Sequence, residues 1–450
     1  MKEMFSSHII ALSKKLDKPL YAVGGMVRDY LIDKSNSLDV DLCSPCTLEE
    51  VVSSAQKVGI EIVATYKRTG TAVLYDGESK YEYTCFRKDV YGKGGEHIPD
   101  LTVPTSDILE DALRRDFTCN AVYFDIKNGK FVDPLNGICD IKNKTLKTVK
   151  SAREVFSHDG LRLMRLARFT GELNFMPDKN TLDGARENAD KIKDISAERV
   201  FAELNKILNS DKKHAFSDKR GHYNGLKILE EIGVLEIILP ELCLGKGMAQ
   251  PLKYHKYDVL EHSLRTVLYA DSDIRLSALL HDVGKPYCFN RDGNFYLHSK
   301  EGERIAQEIL NRLKASNKEK EEVKYLIKHH MLPVDEMREG KLRLFIADNI
   351  DRLDKLIKIK KADYMALKDQ PVPDDFLKRL TDLIDAMKTD GTPFAIKDLE
   401  ISARDLLEIG VEERKLGEVL KKLRDYCIKN PSQNERGKLL KMAEKTSKNH

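Results

Sequence analysis

The chain has 450 residues, of which 33% are charged, 41% hydrophobic and 7% aromatic, with no Trp and a formal net charge of +3. That length holds about three or four domains of ~100–200 residues, and the composition favours a helix-rich soluble protein over a membrane-embedded or disulfide-stapled one. No uncharged apolar run approaches the ~20 residues that span a bilayer, and the stretch from Met1 to Asp17 lacks the apolar block and cleavage site of a secretory signal. A cytoplasmic location is therefore expected, with the eight cysteines reduced.

The first predicted helix runs from Phe5 to Leu16, with Ile9, Ile10, Leu12 and Leu16 near one face. Next comes YAVGGMVRDYLIDKSNSLDVDL, from Tyr21 to Leu42, which holds the pair Gly24 and Gly25, then Arg28, a polar turn, and an apolar-acidic alternation ending in Asp39 and Asp41. On a strand the alternation points Asp39 and Asp41 the same way. Hard divalent cations such as Mg²⁺ prefer carboxylate oxygens, and two such ions can hold the attacking and leaving oxygens of a displacement at phosphorus. Without Cβ atoms, the glycine pair lets backbone N–H groups approach a triphosphate closely. GGMVRD followed by LDVDL resembles the nucleotidyltransferase head of class II tRNA nucleotidyltransferases (CCA-adding enzymes) and bacterial poly(A) polymerases.

Beyond the acidic pair, Thr47 and Glu50 have capping-box spacing for a helix ending near Gly59. Cys43 and Cys46 have the spacing of a redox pair, but such a site would sit oddly beside metal-binding carboxylates. Strand-like runs follow from Gly70 to Leu74 and from Lys80 to Arg87, where alternation puts Glu82, Thr84 and Phe86 on one face. By resemblance to the strand that precedes the family's flexible loop, Glu82 is a candidate third carboxylate. Lys88 to Thr105 is rich in Gly and Pro and matches the position of that mobile loop, which helps switch the pocket between nucleotides in the family.

EDALRRDFTCNAVYFD comes next, and it resembles the family's RRDFTxNA motif. Arg114 and Arg115 supply planar donors suited to phosphate oxygens, and Asp116 and Asn120 suit ribose hydroxyls. The segment from Asp133 to Val149 resembles the element closing the head, and its glycine and turn residues are read as structural.

FSHDGLRLMRLARFTGELNF is predicted as one amphipathic helix carrying Arg162, Arg165 and Arg168 three residues apart, a solvated or phosphate-facing stripe. In the family this position carries Glu-Asp-x-x-Arg, whose Asp and Arg read the incoming base. Carried over, these are Asp159 and Arg162, with His158 in place of Glu and Gly160 where Pro is frequent. Ser196 is a candidate cap for a helix whose Glu198, Arg199 and Glu203 are read as a structural salt-bridge set.

Six of the twelve histidines crowd into the stretch from His255 to His330. DVLEHSLRTVLYA, LSALLHDVGKP and IKHHM resemble an HD domain, which implies metal ligation by His262, His281, Asp282 and Asp363. His298 and His330 are candidates for a second metal or a phosphate. Imidazole with carboxylate suits Mn, Fe, Ni or Zn, and such a site can activate water against a phosphoester. The tail, from the boundary KTDGTPFAI onward, resembles the family's D-L-x-x-x-G element and a following amphipathic helix. From Val411 to His450 it holds eleven Lys/Arg against six Asp/Glu.

The expected fold is α+β, a mixed-sheet, polymerase-β-like nucleotidyltransferase head over 1–150. An all-helical neck (151–210), an HD-type body (211–389) and a tail (390–450) follow. The resemblance implies template-independent addition of CMP and AMP from CTP and ATP to the 3′ end of tRNA. Mg²⁺ serves the head, a transition metal such as Mn, Ni or Fe the HD site, and the tRNA acceptor stem lies along the helical parts. The alternatives are narrower CC-adding, A-adding or poly(A) activity, an HD phosphohydrolase whose head captures RNA, and a noncatalytic RNA-binding protein.

Overall fold

Sequence periodicity carries through to the elements that hold the head. The computed structural model describes residues 1–34, 40–91, 101–214, 216 and 218–448. Asp39 and the middle of the loop expected over Lys88 to Thr105 lie outside them. Two compact units emerge: Met1–Leu244 with Glu308–Ser316, and Gly245–Gln307 with Asn317–His450.

In the first unit, helix α1 (Ser7–Lys15) starts at Ser6, whose hydroxyl accepts from Ile9 N, and it buries Ile9 and Leu12 as the periodicity predicts. A seven-stranded sheet follows, built from β1 (Tyr21–Val23), β2 (Val40–Ser44), β3 (Glu61–Tyr66), β4 (Thr71–Tyr75), β5 (Lys80–Cys85), β8 (Tyr123–Asp125) and β9 (Lys130–Val132). Its order is β3-β4-β5-β2-β1-β8-β9. β2 and β5 pair in parallel and every other neighbour antiparallel, so the sheet is mixed, as expected. Helix α2 (Gly25–Asp33) leaves β1 directly, and α3 (Leu48–Lys57) starts on the Thr47–Glu50 capping box read from the sequence.

The stretch predicted as loop is partly strand: β6 (Arg87–Val90) and β7 (Leu101–Pro104) form a two-stranded ladder, with Arg87 opposite Pro104 and Val90 opposite Leu101. Period-two signals in four-residue runs flanked by Gly and Pro are too short to stand out in sequence. Helix α4 (Ile108–Leu113) packs beside this ladder and leads into the RRDF segment. Val23, Cys43, Phe86, Ala112, Tyr123 and Val155 share one buried cluster, which binds β1, β2, β8 and α4 into a single platform. At the end of the head, Asp133 accepts from Gly137 N at 2.7 Å and Ile138 N at 2.9 Å, starting helix α5 (Gly137–Lys142).

The single amphipathic helix predicted after residue 155 is two: α6 (Ala152–His158) and α7 (Leu161–Leu173). Asp159 is extended at the junction (φ −153°) and its Oδ1 accepts from Leu161 N at 2.9 Å. Gly160 lies against a neighbouring backbone, where a Cβ would stand 2.1 Å from Lys191 O. A carboxylate offered to the backbone and a packed glycine end one helix and start the next, and a hydrophobic periodicity that continues across the join conceals it.

In the second unit, Asp258 caps the helix Val259–Tyr269, accepting from Glu261 N at 2.7 Å. Helices Arg275–Leu280 and Leu353–Lys368 pack with it, and Asn317–His329 packs against those two. The tail keeps a core of its own, with Leu406, Val419, Leu420 and Leu423 buried and Leu416 packed against them. Arg343 ties that tail to its unit through Ile428 O at 2.6 Å and Asp390 Oδ2 at 2.6 Å.

Candidate active site and candidate metal centre

Sheet register decides which carboxylates meet. β1 sets Val23 opposite Asp41, and the parallel β2/β5 ladder sets Asp41 opposite Glu82. Adjacent strands lie roughly 4.8 Å apart, so two exposed carboxylates stand side by side on one face. Like charges directly opposite one another in a ladder are destabilising, and a divalent cation bound between them would remove that penalty. Gly24 turns the chain from β1 into α2 at φ +80°, and a Cβ there would stand 3.0 Å from Asp41 Oδ2. Asp39, proposed from sequence as the partner of Asp41, lies outside the described residues.

A cleft of about 970 Å³ opens over this pair. Asp41 and Glu82 line it together with Gly24, Gly25 and Arg28 from the start of α2, Arg114, Arg115, Asp116 and Asn120 from the RRDF segment, and Asp159, Arg162, Arg165 and Arg168 at and within α7. Segments more than a hundred residues apart thus bring together every described head and neck residue that the sequence offered as catalytic or nucleotide-binding.

Many of those side chains are held by one another. Arg28 donates from Nη1 to Asn120 Oδ1 at 2.6 Å and from Nε to Asp29 Oδ1 at 2.8 Å. Asp116 accepts from Asn120 Nδ2 at 2.9 Å, from its neighbour Phe117 N at 2.8 Å and from Arg165 Nε at 2.7 Å. Burial alone would raise the Asp116 pKa, but the Arg165 guanidinium and the Asn120 amide hold it well below the usual carboxylate range. Arg162 donates from Nη2 to Arg114 O at 2.7 Å and keeps Nε 3.6 Å from Asp159 Oδ2. Two of its five N–H groups are thereby used on carbonyls once the Nη1 bond to Val155 O is counted.

The arginine stripe, expected to be solvated or phosphate-facing, lines the cleft and is mostly buried. Arg162 and Arg168 are buried, and Arg28, Arg165 and Arg168 all stand within 4.6 to 5.1 Å of the Phe169 ring centroid. Arg168 donates to Glu203 at 3.2 Å, and Lys206 reaches the same Glu203 oxygen at 3.0 Å. Ser196 stands at the start of that helix without a side-chain cap bond. Three contributors escaped sequence reasoning. Asp111 is fully buried beneath Arg114 and Arg115, and the only signal was its spacing of three and four residues from them on a helix. Tyr91 stacks on His158 with centroids 4.9 Å apart and lines the cleft. His214 reaches Asp33 at 2.8 Å and Asp29 at 3.5 Å from far along the chain. Cys43 and Cys46 are buried free thiols, and burial pushes the Cys43 thiol well up.

The second unit gathers a separate cluster. His262 Nε2 lies 3.0 Å from Asp363 Oδ1 and 3.5 Å from Asp282 Oδ2, and His281 Nε2 lies 3.2 Å from that same Asp282 oxygen. The other carboxylate oxygen, Oδ1, faces His298 Nε2 at 3.4 Å and His330 Nε2 at 3.7 Å. Nδ1 of His281, His298 and His330 each meets a backbone carbonyl, of Ala278, Phe295 and Ile327, at 2.7 to 2.8 Å. A carbonyl only accepts, so each Nδ1 carries a hydrogen and Nε2 is the atom turned to the cluster, where it can take up either a proton or a metal. His298 and His330 bring their Nε2 atoms to 3.3 Å of one another, close enough to share one proton or to ligate one cation. His281 Nε2 is also buried without a hydrogen-bond partner. This donor set of imidazoles and carboxylates fits a divalent metal.

Comparison with known proteins matches residues 20–147 to the poly A polymerase head domain, 174–244 to the probable RNA and SrmB-binding site of polymerase A, and 259–356 to the HD domain. The chain is similar to the A-adding tRNA nucleotidyltransferase of Deinococcus radiodurans, 32% identical over 363 residues that span 77% of this chain and 76% of the relative. It is 38% identical over 188 residues to the CCA-adding enzyme of Lactobacillus helveticus, spanning 42% of this chain and 45% of the relative. Its fold resembles that of the Bacillus stearothermophilus CCA-adding enzyme solved in complex with CTP, with a TM-score of 0.67 at 20% identity, covering 100% of this chain and 99% of that one. Among the described residues no helix is long and apolar enough to cross a membrane.

Proposed function

The chain belongs to the tRNA nucleotidyltransferase and poly(A) polymerase family, and from that premise we propose that it builds or repairs the CCA end of tRNA. CMP and AMP are transferred from CTP and ATP without a nucleic-acid template, and pyrophosphate leaves. The observation that carries this reading is the pairing of Asp41 with Glu82 at the floor of an arginine-lined cleft. Membership of this family implies dependence on divalent metal ions. We assign Mg²⁺ to Asp41, Asp39 and Glu82, where it would assist attack by the terminal 3′-hydroxyl and stabilise the departing pyrophosphate.

The remaining work falls to the chain's own groups. Gly24 and Gly25 bring backbone N–H groups at the start of α2 toward the triphosphate, and Arg28, Arg114 and Arg115 face its charge. Asp116, kept ionised by Arg165, and Asn120 receive the ribose hydroxyls. Asp159 accepts from the exocyclic amino group that both C and A carry, while Arg162 donates to the adjacent ring nitrogen. G and U present the opposite pattern at those positions and are rejected, so the protein replaces a template. We keep the division into head (1–150), neck (151–210), body (211–389) and tail (390–450), with the basic tail lying along the acceptor stem through phosphate contacts, in the cytoplasm.

The histidine–aspartate cluster favours a second activity, metal-dependent hydrolysis of a phosphoester, because two buried groups of three ligand residues, His262, His281 and Asp282, and Asp282, His298 and His330, each bring their ligand atoms within 4.8 Å of one another. For the main activity the test is a gel assay on tRNA ending at its discriminator base. CTP alone should add two residues, and CTP with ATP should complete CCA. Extension only of CC-ended tRNA by ATP would reduce the activity to A addition, the activity named for the Deinococcus radiodurans relative. No incorporation from either nucleotide would overturn the reading.

A further inference from the structure

Behind the cleft wall, Asp111 is a fully buried carboxylate with three donors. Arg114 Nε binds Oδ1 at 2.7 Å, and Arg115 Nη2 at 3.0 Å and the Tyr123 hydroxyl at 2.7 Å share Oδ2. The Tyr123 oxygen in turn accepts from Arg115 Nε at 3.2 Å, so Arg115 is fixed at two points. Arg114 is gripped through Nε, which leaves the Nη end of its guanidinium for the cleft it lines. Burying an ionised carboxylate is costly, and a buried ion pair is a poor means of gaining stability compared with apolar packing. Its partners here are two cleft arginines, and the Arg114 carbonyl also receives Arg162 Nη2 at 2.7 Å. One buried group thereby fixes two side chains at the triphosphate end of the cleft, and the backbone of one of them holds a side chain at the base end.

We infer that Asp111 is a positioning residue for nucleotidyl transfer, orienting Arg114 and Arg115 to receive the triphosphate of the incoming nucleotide. This rests on the function proposed above. Asp111 touches no substrate; it acts through the two arginines, and Tyr123 from β8 completes the grip.

Asp111→Asn keeps the shape and one acceptor but removes the charge. Loss of charge-assisted hydrogen bonds predicts a rise of about tenfold or more in KM for both CTP and ATP, with KM for tRNA nearly unchanged. A purely structural role would lower the active fraction and leave KM for nucleotide alone. In an Arg114→Ala/Arg115→Ala background the Asp111→Asn change should add no further rise, because its effect passes through those side chains. Tyr123→Phe, which removes one of the three donors, should raise nucleotide KM about threefold, and it decides the matter if Asp111→Asn does not fold. Wild type that extends tRNA normally while both variants keep their nucleotide KM overturns this inference alone. So does an equal effect of Asp111→Asn with and without the arginines. Wild type that incorporates neither CMP nor AMP overturns the proposed function and the inference together.

Discussion

Asp41 is an exposed side chain on a strand whose neighbours on both sides are already paired, so its removal costs the sheet little. Asp41→Ala should therefore reduce nucleotide incorporation by about a thousandfold or more, within the range lost when a central electrostatic group is removed, while the thermal midpoint and tRNA binding stay near wild type. A primer-extension assay beside a melting curve checks both halves. Gly24 faces the same oxygen from the other side. Any side chain there meets a φ of +80° and a Cβ placed 3.0 Å from Asp41 Oδ2. Gly24→Ala should cost about 1–3 kcal/mol of backbone strain and lower kcat by displacing Asp41, measurable by single-turnover CMP addition. Both residues were legible because the glycine pair and the acidic alternation are local. Residues such as Asp111 were not, because a carboxylate before two arginines on a helix has the same spacing as an ordinary surface ion pair, and only burial separates them.

At the scale of elements, the neck shows what local pattern leaves undetermined. Apolar spacing over residues 156–175 is continuous, yet the chain breaks at Asp159 and Gly160 because of what lies beside them, the backbone of Lys191. Gly160 has an ordinary helical φ of −61°, so its requirement is for space alone. Gly160→Val should lower stability by several kcal/mol, about the cost of overpacking a rigid site, and should impair selection between CTP and GTP by moving Asp159 and Arg162. The arginines of α7 were read as solvated or phosphate-facing, without carboxylate partners, for a related reason: Asp116 lies 49 residues from Arg165 and Glu203 35 residues from Arg168 in sequence, so nothing local reveals that they are paired within the fold. A third long-range link sets a pH dependence. Burial would lower the His214 pKa, but Asp29 and Asp33 outweigh it and raise it above 6.5, with Lys213 and Arg28 also bound to Asp29. A raised folded-state pKa gives stability that is fully present below the unfolded value and is lost as pH rises through the folded one. His214→Ala should thus lower the thermal midpoint more at pH 6 than at pH 9.

Across the whole molecule, the two candidate chemistries sit in different compact units, the carboxylate pair in Met1–Leu244 and the histidine cluster in the unit that begins at Gly245. The fold class was legible from motifs spread along the chain, since head, neck and HD segments each announce themselves locally. The strand order was not, because a parallel β2/β5 pairing depends on a crossover through β3 and β4. The donor sets differ as much as their locations. Exposed carboxylates suit a hard ion such as Mg²⁺, whereas buried imidazoles with a shared Asp282 suit a transition metal. Replacing both His281 and Asp282 by Ala removes donors from the cluster at its centre, so elemental analysis should find bound transition metal in the wild type and none in the double variant. Phosphatase or 2′,3′-cyclic-phosphate hydrolysis measured with added Mn²⁺ or Ni²⁺ should vanish with it. CMP and AMP incorporation in Mg²⁺ should remain within about twofold of wild type, as expected of independent sites. Metal-free wild type without inducible hydrolysis would reduce the cluster to scaffold, and loss of incorporation in the double variant would show instead that transfer in one unit depends on the state of the other.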